Sequence, residues 1–289
     1  MKAVFNKEFK SYFNSALGYI FMAVFLLISG IFFSLSNIIT QQPNTYFNPV
    51  LSNITFVFLL LVPVITMRTI AEETHQKTDQ LLYTTPISLT EIILGKYFAA
   101  VALFLITLLI TCIYPLILSI YGTVDVWSIV GSYIGFALLG SSFIAIGIFI
   151  SSLTDNQVVS AVGTFGALLL IWILGWIQQS LPTSQKSGII FAAILVFIIC
   201  LIVYASTHNI YVSGIVGIAG AAVITIIYFA KKTLFEGLTV KFLGWFSLLK
   251  RYDNFSMGIL SISDIVYYIT FSAAFIFLTV RMIDKRRWS

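Results

Sequence analysis

Eight apolar runs, each near the roughly 20 residues that a helix needs to cross a bilayer, occupy most of this 289-residue chain. Most of the polar stretches between them are short. Charged residues make up 9% of the sequence, against about 25% in soluble domains. That is too little charge to cover a water-facing surface. The pattern defines an all-α polytopic membrane protein. It excludes an ordinary soluble enzyme, a disordered chain and a disulfide scaffold. The two cysteines, Cys112 and Cys200, both lie in apolar runs and read as small packing residues.

The chain opens on residues 1–16, where Phe5, Phe9, Tyr12, Phe13 and Ala16 recur at three- and four-residue spacing. Lys2, Asn6, Lys7, Lys10 and Asn14 fall between them. This spacing predicts an amphipathic helix in the membrane interface, with aromatic rings in lipid and basic groups in water. Glu8 and the polar residues around it do not fit a cleavable leader, so the first span is expected to be retained. Spans 1 and 2 cover 17–67, the second with a kink expected at Pro63. Residues 68–96 form the most charged long connection, with helical propensity from Thr69 to Tyr83 and a stop at Pro86. Ser88 or Thr90 can cap the helix that follows. Spans 3 to 5 cover 97–177. In the fourth, Gly131 and Gly135 give a small-xxx-small spacing that permits close helix approach.

A two-helix hairpin is expected over 188–229, as spans 6 and 7. Residues 231–263 read as an amphipathic extracytoplasmic region, 265–283 as the last span and 284–289 as a basic tail. Eight spans put both termini on one side. With that side cytoplasmic, 10 of the 16 Lys and Arg residues lie inside, as the positive-inside rule requires. The net charge of +5 is accordingly span-flanking and suited to lipid headgroups, with no nucleic-acid partner implied.

Catalytic and cofactor patterns are missing from the sequence. It has no phosphate-binding Gly-rich loop, no H-E-x-x-H and no paired carboxylates with metal ligands. His75 and His208 fall in connections, where they read as solvated. Ionisable residues are not placed at the centre of a span, which argues against a proton-coupled carrier, a voltage sensor and an intramembrane protease.

Several stretches carry a family resemblance. They are Lys7-Glu8-Phe9 before the first span; Glu72-Glu73, Lys77-Thr78-Asp79-Gln80-Leu81-Leu82, Pro86-Ile87-Ser88 and Leu94-Gly95-Lys96 in the charged connection; Ser151 to Gln157 between spans 4 and 5; and Arg251 to Gly258, Asp264 to Tyr268 and Arg286-Arg287-Trp288 at the end. In order and spacing the chain resembles the permease subunit of ABC-2 type transporters, most like the gliding-motility-associated permeases. The resemblance implies an exporter-type helical bundle. That family usually has six spans, so 188–229 is an added hairpin.

The resemblance further implies that the chain is no enzyme and holds no cofactor. ATP and Mg²⁺ would sit on a separate cytoplasmic ABC ATPase subunit, which couples hydrolysis to export. The coupling residues it implies are Glu72, Glu73, Lys77, Asp79, Leu81, Leu82 and Tyr83. A second permease chain, identical or homologous, would complete the transport path in the inner (plasma) membrane, with membrane lipid around it. A different expectation is a membrane anchor that moves no solute and passes ATPase work to an extracytoplasmic partner docked on 231–263.

Overall fold

The computed structural model describes residues 1–39, 48–78, 87–207, 210–230 and 235–288. Among these residues the structure is helical. Seven helices are long and apolar enough to cross a membrane. The chain divides into two compact units, one of Met1–Trp172 with Leu248–Ser289 and one of Ile173–Ser247.

In the first unit, α1 (Lys2–Asn14) is amphipathic as expected. Phe5, Phe9 and Phe13 form a ladder of rings along one face, with centroids 5.6 and 5.0 Å apart. Ala16 lies beyond the extended Ser15 and belongs to α2 (Ala16–Phe33), which closes in a π-helical turn over Ser34–Ile39. The second span is built from α3 (Asn48–Ile54), a 3₁₀ turn at Thr55–Val57 and α4 (Phe58–Thr66), with Pro63 inside α4. A short α5 (Ala71–His75) follows.

The helix that carries the third span starts at Leu89, just after Ser88, one of the two caps read from the sequence. It runs as α6 (Leu89–Ile110), with the Ser88 hydroxyl accepting from Glu91 N–H. It breaks at Thr111 and Cys112 and resumes as α7 (Ile113–Tyr121). Pro115 accounts for the break, since its ring crowds the Thr111 carbonyl four residues back. The Asp125 carboxylate caps α8 (Val126–Leu153) through Trp127 and Ser128 N–H. Asn156 caps α9 (Gln157–Ser180) in the same way through Val158 N–H.

The helix α8 is the hub of this unit. Two-thirds of its apolar stretch and of the second span's is buried, against 28% for the first span. The rings of Phe25, Phe58, Phe104 and Phe136, one each from α2, α4, α6 and α8, are fully buried together. Phe58 and Phe136 lie 4.7 Å apart, and Phe58 and Phe104 5.5 Å. Such packing replaces hydrophobic drive inside a bilayer, where lipid is as apolar as protein. Glycines on α8 make room for it. A Cβ at Gly140 would lie 2.5 Å from the Phe104 ring. One at Gly147 would meet Thr66, and one at Gly135 the Phe255 side chain.

That Phe255 sits on α13 (Leu248–Ser256), which buries Leu248, Tyr252 and Phe255 at i, i+4, i+7 spacing. This half of the expected extracytoplasmic region is therefore an inward-packed part of the bundle, while its polar face carries Lys250 and Asp253. The last helix, α14 (Ile262–Trp288), packs along α8. Ser142 and Ser272 share a hydrogen bond of 3.0 Å across that contact. At its start, Asp264 accepts from Arg251 at 2.7 Å and from Asn254 at 3.0 Å, and the Arg251 guanidinium lies 3.9 Å from the Tyr267 ring centre.

The second unit contains α10 (Gln185–Thr207), α11 (Ile210–Ala230) and α12 (Leu238–Phe246). The helices α10 and α11 pair antiparallel through small residues. Ser213 donates to the Cys200 carbonyl at 2.9 Å, and Gly217 and Gly220 face Cys200 and Val196. The apolar stretch of α11 among the described residues is the shorter Ser213–Ala222, so α11 is not one of the seven candidate spans.

Candidate functional site

Most ion pairs of the first unit gather at one end, where α1, α5, the start of α6 and the ends of α8 and α14 meet. Its centre is Lys96. The side chain lies two turns into α6 and is only 3% exposed. Its ammonium holds Glu73 at 2.9 Å, Glu8 at 3.2 Å and the Thr69 carbonyl at 2.8 Å. Lys7 adds a second cation, 3.2 Å from Glu73 and 3.3 Å from Glu8. Two carboxylates thus share two ammonium groups, which is what burying such charge requires. Gly95 allows the approach. A Cβ there would lie 3.0 Å from Val4 Cβ and 3.2 Å from the Met1 carbonyl.

Partial burial works to lower the Lys7 pKa, and the carboxylates of Glu8 and Glu73 overcome it, leaving the group above the ordinary lysine value. A raised folded-state pKa stabilises fully below the unfolded value and is lost as pH climbs past the folded one. The Lys7 contribution is therefore complete up to pH 10.5.

Of the expected coupling residues, Glu73 is thus turned inward. Glu72 faces outward from the same short helix, 3.7 Å from Arg68 and accepting from Gln76 at 3.2 Å. Lys77 is exposed and carries a left-handed backbone, φ 57°. Lys77 N–H bonds to the Thr74 carbonyl and Thr78 N–H to the Glu73 carbonyl. This closes α5 in the two-bond pattern that usually has Gly at that position. Helix propensity over Thr69 to Tyr83 is overridden there, and α5 ends at His75. Asp79, Leu81, Leu82 and Tyr83 lie outside the described residues.

A polar cleft of about 390 Å³ opens beside the cluster, lined by Tyr12, Arg68, Glu72 and Glu73 among others. The start of α5 is held from another helix. The Ser151 hydroxyl, at the end of α8, accepts from Ile70 and Ala71 N–H at 3.2 and 3.1 Å. A serine beyond the segment does what an N-cap residue does within it. Four residues on, Asp155 pairs with Arg286 at 2.9 Å, and Arg286 also reaches the Leu153 carbonyl. The charged connection, the turn after α8, the helix α1 and the C-terminal helix end are one bonded assembly.

Sequence reasoning missed the roles of Glu8 and Lys96, which it placed in an interfacial face and a loop. The available signal was a lone lysine followed by an unbroken apolar run from Tyr97. Among the described residues no group of three or more His, Cys, Asp or Glu could hold a metal ion.

The first unit is a helical bundle whose ion pairs lie at its ends. Residues 45–212 match the family described as ABC-2 family transporter protein, more than half of the chain. The chain belongs to that family, whose permeases are non-catalytic membrane subunits. No curated protein matches it significantly.

Proposed function

We propose that this permease receives work from a separate ABC ATPase at the Arg68 to Lys96 end and uses it to drive export between two permease chains. The observation that carries the proposal is the Lys96 junction. Glu73 on α5, Glu8 on α1 and Lys96 on α6 meet on one ammonium group. A push on the short helix is then delivered both to the interfacial helix and to the base of the third span. Glu72, Lys77 and Asp79 are the charges that set ATPase register, and Leu81, Leu82 and Tyr83 supply the apolar contact. ATP and Mg²⁺ belong to the ATPase. Nucleotide binding there would bias an equilibrium between inward-open and closed or outward-open bundles.

Both termini are cytoplasmic in this reading, since the junction end gathers most of the basic residues. The hairpin of two spans over 188–229 is part of this reading, and the long apolar stretch of α10 supports its first span. The burial of α13 leaves less free surface for an extracytoplasmic partner, which favours transport over the anchor reading. The finer likeness to the gliding-motility permeases rests on the closing residues Arg251 to Gly258 and Asp264 to Tyr268.

The test is charge reversal at the outward pair. Glu72→Lys with Lys77→Glu should abolish recovery of the ATPase while the chain stays folded, because neither residue belongs to the Lys96 cluster. Undiminished ATPase recovery from the reversed variant would refute this docking site.

A further inference from the structure

Between α6 and α14 lies a partly open groove of about 730 Å³. Leu94, Phe98 and Val101 form one wall, and Ala273 and Phe277 stand on the other. Its charged end is closed by Thr90 and Arg281. From Thr90 to Val101 the helix rises about 17 Å, close to the roughly 15 Å hydrocarbon depth of one leaflet. That length matches a single leaflet, and Arg281 at its end would then stand at headgroup level.

Arg281 differs from its neighbours. Arg68, Arg251 and Arg286 each pair with a carboxylate. Among the described residues Arg281 has no carboxylate within ion-pair distance, and its guanidinium lies 5.0 Å from the Phe277 ring centre. The cation is exposed and rests on the groove wall.

We propose that this groove is a binding site for an anionic phospholipid of the leaflet on the side of the termini. The acyl chain lies along Leu94, Phe98 and Ala273, and the phosphate pairs with Arg281. An apolar slot alone would take any lipid. The unpaired arginine at its mouth is what selects charge, and its planar donors suit a phosphate.

The test is native mass spectrometry of the full chain taken from vesicles of equal phosphatidylglycerol and phosphatidylcholine. Wild type should retain phosphatidylglycerol with about a fivefold preference, the size that one basic residue supplies at an anionic surface. Arg281→Gln should lose the preference and still retain lipid. Ala273→Trp, at an exposed wall position, should retain neither. A Phe98→Trp reporter should be quenched by brominated phosphatidylglycerol more than by brominated phosphatidylcholine. Equal retention of both lipids by wild type, or a preference that survives Arg281→Gln, would overturn the site. So would lipid-free chains that cross-link as dimers through Ala273→Cys.

Discussion

Replacing Lys96 with Met should destabilise the protein by about 3 kcal/mol or more, the usual cost of breaking a buried ion pair from one side. The change leaves Glu8 and Glu73 facing each other with only the exposed Lys7 to share. Their side chains are 15% and 17% exposed, so water screens them little. The expected readout is a large fall in the thermal midpoint in detergent. The triple variant Lys96→Met, Glu8→Gln and Glu73→Gln removes all three charges at similar volume. It should recover most of the lost stability, because a well-packed neutral cluster often matches a buried ionic one. Its transport-linked ATPase activity should remain low, since the charged tie between α1, α5 and α6 is gone. A single variant as stable as wild type would show that the junction is solvated and carries no load.

Replacing Gly135 with Leu should displace α13 from the bundle. A Cβ at this position already collides with Phe255, and one at neighbouring Gly131 would lie 3.0 Å from the Phe255 carbonyl and 3.2 Å from Gly258 Cα. Both neighbours are parts of a packed turn, with little freedom to move. Overpacking of this kind costs about 1–3 kcal/mol and often more where backbone must shift. Phe255→Ala, which leaves a cavity instead, should cost about 3–5 kcal/mol. The two sites touch, so Gly135→Ala with Phe255→Ala should cost less than the sum by about 0.5–3 kcal/mol. Unfolding midpoints of the four proteins decide this. Strict additivity would mean that α13 does not seat on α8 as described.

The sequence made the membrane class legible because charge scarcity and apolar runs are properties of composition. The helix α1 and its ring-bearing face were legible too, since Phe5, Phe9 and Phe13 repeat at helical spacing. The glycine spacing at 131 and 135 was readable as a close approach, but not its partner. Nothing local ties Gly135 to a phenylalanine 120 positions away. The charged connection was only half legible. Helix propensity ran through Lys77, while the two closing hydrogen bonds stop α5 there. Glu72 and Glu73 look alike in sequence, yet one faces out and the other is locked on Lys96. Adjacent positions on a helix point about 100° apart, and only the location of α1 and α6 decides which is buried. Ser151 shows the same limit, because its capping target lies 80 residues earlier.

The central claim is that this ABC-2 permease works under a separate ATPase bound at the Lys96 end. The most direct measurement is mild-detergent purification of the chain from its host membrane, with mass spectrometry of what accompanies it. The account predicts a P-loop ATPase in stoichiometric amount, lost from the Glu72→Lys and Lys77→Glu variant. A purification that preserves membrane complexes and yields the permease with no ATPase would contradict it.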